Sequence, residues 1–179
     1  MTMRRQKFLL FRVYQFQDSQ AYGELYDLYY VKIRRYVFFK LPQSADADEI
    51  ASEVFLRGWE FATSSKVENP SALFYKIARN LVTDFYRHRD NTVALEEADQ
   101  VPSEIDVSRG VETKMESEAL IASLRRLKEE YRDVLIMRYL DELSIGEIAD
   151  ALEKTPNNVR VLLFRAKKAL KDLNERINP

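Results

Sequence analysis

Apolar residues recur at intervals of three and four positions along most of this chain, which is the spacing of amphipathic α-helices. Only four glycines and five prolines interrupt the pattern, and no convincing alternation typical of a half-buried strand occurs. Asp18 or Ser19 can cap a first helix, and the dipeptide Leu41-Pro42 ends it. The pattern therefore predicts an all-α fold.

Two further helices follow in the N-terminal half. One starts between positions 44 and 48 and continues through Phe61, and Ser71 can cap another that reaches about Arg89. The residues expected to face the core are Tyr22, Leu25, Tyr29, Ile33, Tyr36 and Val37 on the first helix, Ile50, Val54, Phe55 and Phe61 on the second, and Leu73, Phe74, Ile77, Ala78, Leu81 and Phe85 on the third.

Residues 91–112 differ in kind, because they are acidic, contain Pro102 and Gly110 and show no sustained period. Such composition is typical of a flexible linker. The sequence thus predicts two small helical domains, at residues 1–90 and 113–179, joined by this acidic linker.

The C-terminal domain carries the pattern of a helix-turn-helix. Ser144 and Glu147 have the spacing of a capping box, in which each side chain accepts from the other residue's amide, and Leu143 and Ile148 have the spacing of a hydrophobic staple. A second helix starts at once, with Thr155 as its cap and Pro156 at its first position. Its buried stripe is expected to be Val159, Leu163, Ala166 and Leu170.

The charge of this second helix favours a nucleic-acid partner. From Lys154 to Leu170 the charged residues are all basic. Phosphate contacts supply much of the affinity for DNA, and such a helix can provide them. The alternative is a solvated basic face on an ordinary helical hairpin.

Two helices of the N-terminal domain have unusual outer faces. The second presents a mostly acidic stripe with a leucine in it, which fits a protein-docking face, although acids in a first turn also simply stabilise a helix. On the third helix, Lys76, Arg79, Arg87 and Arg89 mix with Asn80, Thr83 and Asp84, beside Tyr75, Tyr86, Trp59 and Phe61. Bases beside aromatics suit single-stranded DNA. The competing interpretation assigns the aromatics to the core, and it is preferred for Phe61, Phe74 and Phe85.

Composition limits the other function classes. The 28 basic and 29 acidic residues nearly balance, but they are distributed unevenly: residues 1–40 and the C-terminal helix are basic, and residues 41–65 and 91–118 are acidic. That layout suits a protein that touches both DNA and a protein partner. With no cysteine and one histidine, we expect neither a disulfide nor a metal site, and no cofactor.

Catalysis and membrane insertion are not expected either. The sequence shows no nucleophile–base pair and no phosphate-binding glycine loop, so we expect no enzyme activity. Arg12 interrupts the apolar run Phe8-Leu9-Leu10-Phe11, which indicates the start of a helix rather than a signal peptide. No stretch approaches the roughly 20 apolar residues of a membrane span, so a cytoplasmic location is expected.

Three motifs together resemble the sigma factors of bacterial RNA polymerase, of the small two-domain extracytoplasmic-function type within the sigma-70 family. The stretch from Asp48 to Trp59, Asp-Glu-Ile-Ala-Ser-Glu-Val-Phe-Leu-Arg-Gly-Trp, is similar to the family's polymerase-docking helix. Residues 70–87 resemble the helix that captures the melted −10 element, and residues 143–170 resemble the reader of the −35 element. The resemblance covers about residues 17–90 and 113–173.

The resemblance implies a role for each set of residues. The implied polymerase surfaces are the beta-prime clamp and the beta flap, and binding of core RNA polymerase falls to Asp48, Glu49, Ser52, Glu53, Leu56 and Arg57. Contacts with −10 DNA fall to Lys66, Lys76, Arg79, Asn80, Thr83, Asp84 and Arg87. Contacts with −35 DNA fall to Thr155, Pro156, Asn157, Asn158, Arg160, Val161, Phe164, Arg165 and Lys168. The implied partners are core polymerase, promoter DNA and an anti-sigma factor.

The chain departs from the family pattern in three places. Ser52 stands where the docking helix usually has glutamine. Glu153 replaces the usual turn glycine, which predicts a turn without a positive φ. Val161 and Leu162 stand where serine and arginine are common, so base readout is expected to depend on Asn157, Asn158 and Arg160. Two alternatives stay open: a helix-turn-helix regulator that binds duplex DNA without polymerase, and a polymerase-binding regulator without initiation activity.

Overall fold

The computed structural model describes residues 3–41, 44–92 and 121–177, and within these ranges the fold is all-α with no strand, as expected. The helices are α1 (Met3–Phe16), α2 (Ser19–Lys40), α3 (Ser44–Ser64), α4 (Pro70–Thr92), α5 (residues 121–126), α6 (Glu129–Leu135), α7 (Ile145–Leu152) and α8 (Pro156–Ile177). A π-helical turn, Ile136–Leu140, continues α6. Apart from its first two residues, which belong to α4, the predicted linker lies outside the described residues.

Helix α2 is the centre of the N-terminal unit. The Asp18 side chain caps it by accepting a hydrogen bond from the Ala21 amide at 3.0 Å, and Leu41 closes its other end. All six residues predicted for its inner face are buried. Around α2 pack α1, α3 and α4, and the ring of Phe74 from α4 lies against those of Tyr29 and Phe55.

Helix α3 departs from prediction at its C-terminal end. It continues three residues beyond Phe61, and the Phe61 side chain is 49% exposed, so its assignment to the core is wrong. The buried stripe runs instead through the small residues Gly58 and Ala62. A Cβ at Gly58 would lie 2.7 Å from the Phe74 ring, so the missing side chain makes room for that ring.

Helix α4 also begins differently. The Asn69 side chain, and not that of Ser71, caps it by accepting from the Ala72 amide at 3.2 Å. Pro70 takes the first helical position, where its missing N–H is not needed, and this moves the cap to residue 69. Ser71 is buried within the first turn. Of the predicted inner face, Phe74, Ala78 and Leu81 are buried, and Leu73, Ile77 and Phe85 are partly buried.

The C-terminal unit contains the helix-turn-helix that the sequence predicts. Ser144 and Glu147 form both hydrogen bonds of the capping box, at 3.2 and 2.9 Å, and the staple residues Leu143 and Ile148 are buried. One expectation fails at the turn. Glu153 adopts the left-handed conformation, with φ 54° and ψ 41°, so the turn does need a positive φ although the residue is not glycine.

The two units pack directly on each other. Helix α7 lies against α4, and the polar end of the π-helical turn meets α2 and α4. Among the described helices, none combines the length and the run of apolar residues that crossing a bilayer requires.

Candidate nucleic-acid interface

Helix α8 presents its N-terminal residues to solvent. The Thr155 hydroxyl accepts a hydrogen bond from the Asn158 amide at 3.2 Å, so the first turn is fixed as the sequence predicts. Val159, Leu163 and Ala166 are buried against the rest of the unit. The opposite face carries the exposed residues Thr155, Pro156, Asn157, Asn158, Arg160, Val161, Phe164, Arg165 and Lys168. Every residue predicted to contact −35 DNA therefore lies on an accessible surface.

Two of these exposed residues are apolar. Phe164 is 73% exposed and Val161 is 41% exposed. Apolar side chains on a helix in the major groove can contact the methyl group of thymine. Leu162 packs partly against the core and points away from this face. Lys167 lies over the exposed ring of Tyr139, 5.8 Å from its centre.

The predicted docking face on α3 is ordered by ion pairs. Arg34 of α2 holds Asp48 through two hydrogen bonds, one of them at 3.1 Å, and this lowers the pKa of the Asp48 carboxyl. Glu53 pairs with Arg57 one turn later at 2.7 Å. Leu56 is 55% exposed beside them, which matches the leucine expected in an acidic face. The remaining members of the set, Glu49 and Ser52, are exposed.

The outer face of α4 is only partly accessible. Asn80, Thr83 and Arg87 are exposed, and Arg87 pairs with Asp84 at 3.2 Å. Two other predicted −10 contacts face the C-terminal unit: Lys76 pairs with Glu153 at 2.6 Å, and the Arg79 guanidinium lies 3.8 Å from Asp133. Lys66 is exposed in the segment between α3 and α4.

The aromatic residues near α4 separate into core and surface. Tyr75, which the sequence left open, is fully buried, and burial raises the pKa of its hydroxyl well above 10. Tyr86 is 39% exposed and donates to the Lys40 carbonyl. Phe61 and Tyr86 are thus the aromatic residues of this group that stay exposed. Trp59 packs edge-on against Tyr22.

Sequence reasoning missed a polar network between the two units. It includes Asp133 and Asp141, which are 2% and 0% exposed. Their partners are 66 to 106 residues away along the chain, so no local pattern identifies them. The one available signal was an acid next to the apolar run from Val134 to Met137. In the described ranges, no cluster of His, Asp or Glu has an arrangement that could hold a metal ion.

Comparison with protein families identifies both units separately. Residues 25–92 match the model described as Sigma-70 region 2, and residues 117–170 match Sigma-70, region 4. Among similar curated proteins, the ECF RNA polymerase sigma factor BldN of Streptomyces coelicolor is 29% identical over 158 residues, covering 86% of this chain and 60% of BldN. The chain thus spans less than two thirds of BldN. The ECF RNA polymerase sigma factor SigW of Bacillus subtilis is 29% identical over 170 residues, covering 86% of this chain and 89% of SigW.

Two solved structures share the fold across both units. CnrH, in complex with the cytosolic domain of CnrY, superposes with a TM-score of 0.72 at 17% identity, covering 96% of this chain and 98% of CnrH. The sigma factor RpoE, in complex with the anti-sigma factor NepR from Bartonella quintana, gives a TM-score of 0.67 at 14% identity, covering 86% of this chain and 96% of RpoE.

Proposed function

We propose a separate role for each of the two units, starting from the family of the whole chain. This chain belongs to the sigma-70 family, as a sigma factor of the extracytoplasmic-function type. It binds core RNA polymerase and directs transcription initiation at specific promoters, where it reads a −35 element in duplex DNA and a melted −10 element. A regulator of duplex DNA alone would have no use for a region 2 match over residues 25–92.

The −35 assignment depends on one observation, the exposed and acid-free N-terminal part of α8. Arg160 and the asparagines Asn157 and Asn158 project from a capped first turn, the part of a recognition helix that reaches base edges. Arginine can read guanine and asparagine can read adenine. Arg165 and Lys168 lie further along the helix and would hold phosphates, which position the protein without specifying sequence. Val161 and Phe164 add apolar contacts with thymine.

The −10 assignment places the single strand along α4 and the segment before it. Lys66, Lys76, Arg79 and Arg87 would neutralise phosphates, while Asn80, Thr83 and Asp84 would hydrogen-bond a base taken out of the stack. Removing a base from the stack costs a few kcal/mol. Stacking of bases on the exposed rings of Phe61 and Tyr86 would offset this cost by about 1–3 kcal/mol per base.

Core polymerase would dock on α3 with its beta-prime clamp, through the exposed Leu56 and the charged residues around it. The domain boundaries that go with these roles are residues 1–90 and 113–179. We propose that an anti-sigma protein also binds this chain, as NepR binds RpoE; the shared fold supports this. Neither unit performs chemistry of its own.

In vitro transcription tests the assignment. Purified protein and sigma-free core polymerase, given fragmented host DNA, should produce discrete starts that share upstream elements at a fixed spacing. Arg160→Ala should cost about 1–3 kcal/mol at the cognate promoter and relax base preference at one −35 position. Arg165→Ala is the matched control, since losing a phosphate contact should weaken all promoters equally and reduce the salt dependence of binding. Unchanged base preference in Arg160→Ala would refute its role.

A further inference from the structure

Helix α1 carries aromatic side chains on the face that points away from the core. The residues of its inner face are buried against the N-terminal unit: Gln6, Leu9, Leu10 and Val13. On the outer face, Phe8, Phe11 and Tyr14 are 57%, 53% and 41% exposed. A surface helix normally has polar residues on its outer face, so apolar side chains on both faces of α1 indicate that the outer face has a partner.

The residues Phe8, Phe11 and Tyr14 form one aromatic row. They follow one another at intervals of three positions, which places them on the same side of the helix at successive turns. The ring of Phe16, itself 68% exposed, packs edge-to-face on that of Phe11, with the ring centres 6.1 Å apart. Single exposed aromatic residues are common on protein surfaces, whereas a contiguous apolar patch marks an interaction site.

The charge of α1 is entirely basic. Its charged residues are Arg4, Arg5, Lys7 and Arg12. Two of these are used within the N-terminal unit, because Arg5 pairs with Glu24 of α2 at 2.6 Å and Arg12 donates to Asp18 at 2.9 Å. A partner of the outer face therefore meets a helix that has cations and no acid.

The two remaining cations lie beside the aromatic row. Arg4 and Lys7 are exposed, and neither forms an ion pair within the described ranges. Each precedes an aromatic residue by one helical turn, Arg4 before Phe8 and Lys7 before Phe11. The stem of a lysine or arginine can lie along apolar surface while its charged group stays in water. The outer face of α1 thus combines an apolar row with a cationic edge.

We propose that this outer face of α1, formed by Arg4, Lys7, Phe8, Phe11 and Tyr14, docks on an anionic lipid membrane. Aromatic side chains are favoured at the boundary between lipid headgroups and acyl chains, and helices with basic and aromatic residues bind there by partial insertion. Acidic headgroups supply the charge that complements Arg4 and Lys7. The inference is independent of the roles proposed for α3, α4 and α8.

Two other occupants fit this face less well. A second copy of this chain would bring the cations of two α1 helices together, and their repulsion opposes self-association. Single-stranded DNA needs free ring faces for base stacking, but Phe11 and Phe16 meet edge-to-face at an interplanar angle of 87°, which covers a face of one of these rings. A lipid surface needs no free ring face, because apolar contacts with it are not directional.

Vesicle flotation tests the proposal with the intact protein. The wild type should float with vesicles of phosphatidylglycerol and phosphatidylcholine in equal parts. It should bind pure phosphatidylcholine vesicles at least about tenfold more weakly, and added salt should release it from the mixed vesicles. Absence of binding to the mixed vesicles at low salt would overturn the proposal.

Substitutions on α1 show whether this face is responsible. Phe8→Ser combined with Phe11→Ser should reduce vesicle affinity by more than about tenfold, because the apolar contact is lost. Lys7→Gln should reduce it about fivefold, since one cation near an anionic surface contributes about that factor. The replaced side chains are exposed, so thermal melts should match that of the wild type. Unchanged vesicle binding in these variants would contradict the assignment to α1.

The matched control lies on α8, which is also basic and also has an exposed aromatic residue. Phe164→Ser combined with Lys168→Gln removes one aromatic ring and one cation there, and it should leave vesicle binding unchanged. Loss of vesicle binding in this variant, together with full binding by the α1 variants, would assign the membrane contact to α8 and overturn the proposal.

Tryptophan fluorescence reports whether the aromatic row enters the lipid. Trp59 is the single tryptophan of the chain, so Trp59→Phe combined with Phe11→Trp leaves one tryptophan, on the row. On mixed vesicles its emission should shift to the blue, and brominated lipids should quench it. In the same background Val31→Trp, at a 65% exposed position of α2, should show neither change. Absence of quenching at position 11, or equal quenching at position 31, would overturn the proposal.

Nucleic acid is tested as the competing partner of the same face. Binding of a single-stranded oligonucleotide without promoter sequence should be the same for the wild type and for Phe8→Ser combined with Phe11→Ser. If this variant loses the oligonucleotide and keeps the vesicles, the face binds nucleic acid and the proposal is overturned. None of these measurements contains polymerase or a promoter, so a failure of promoter-specific initiation would leave their outcome unchanged.

Discussion

Glu153 ends α7 in the left-handed conformation while its carboxylate accepts a hydrogen bond from Lys76 of α4 at 2.6 Å. The residue therefore combines a strained turn with a contact between the two units. Lys76 lowers the pKa of this carboxyl, so it is ionised at neutral pH. Where glycine is usual in such a turn, this chain has a strained residue whose carboxylate faces Lys76, a lysine that we propose contacts −10 DNA.

Glu153→Gly should separate these two effects. Glycine adopts the left-handed conformation without a steric penalty, although it also adds entropy to the unfolded chain. We expect Tm to rise by about 1–3 °C in a thermal melt. Glu153→Gln keeps the strain and removes only the charge, so its Tm should stay close to that of the wild type. A lower Tm for the glycine variant would contradict the strain argument.

Gly58→Ala and Gly23→Ala should change the free energy of unfolding in opposite directions. At Gly58 a Cβ would lie 2.7 Å from both the Phe74 ring and the Tyr22 hydroxyl, so overpacking should outweigh the gain in helix propensity and destabilise by about 1–2 kcal/mol. At Gly23, in α2, nothing lies within 4 Å, and the same change should stabilise by about 0.5–1 kcal/mol. Urea unfolding measures both. Equal effects at the two sites would show that packing at Gly58 is not limiting.

Leu56→Ala should weaken polymerase binding without affecting the fold. Leu56 is 55% exposed, so truncation should change the free energy of unfolding by less than about 0.5 kcal/mol. A central apolar anchor typically contributes more than about 1 kcal/mol to an interface, which corresponds to an affinity loss of about fivefold or more. Val31→Ala is the control, since Val31 is 65% exposed on α2 and has no assigned role.

Glu53→Lys tests the charged part of the same face. The substitution reverses the charge of the side chain that pairs with Arg57. It should impair polymerase binding and leave the helical content, measured by circular dichroism, unchanged. Wild-type affinity in this variant would remove α3 from the docking surface.

The sequence correctly predicted features that depend on residues close together in the chain, such as helix caps and buried helix faces. The capping box at Ser144, the cap at Thr155 and the inner face of α2 follow from spacings of three and four residues, and the structure confirms them. Phe61 was wrongly assigned because a large aromatic fits the period, whereas tight packing at Gly58 selects the small Ala62 nearby. Ser71 failed as a cap because Asn69 competes for the same role beside Pro70.

No spacing of residues in the sequence predicts the contacts between the two units. Asp133 and Tyr36 are 97 residues apart, and Asp141 and Tyr75 are 66 apart. An isolated acid next to an apolar run indicates burial, but it does not identify the partner. The roles of the exposed residues on α3, α4 and α8 come from the resemblance and stay predictions.

The π-helical turn makes the fold sensitive to the number of residues between α6 and α7. In this turn the Asp141 amide reaches back five residues to the Ile136 carbonyl, at 3.0 Å. Loss of a single residue would restore the ordinary four-residue pattern and rotate everything downstream by about 100°. Asp141 would leave its pocket, and α8 would face a different direction. An in-frame deletion of one codon within Ile136–Leu140 would therefore change how the whole molecule is assembled, even if it removed only the exposed Tyr139.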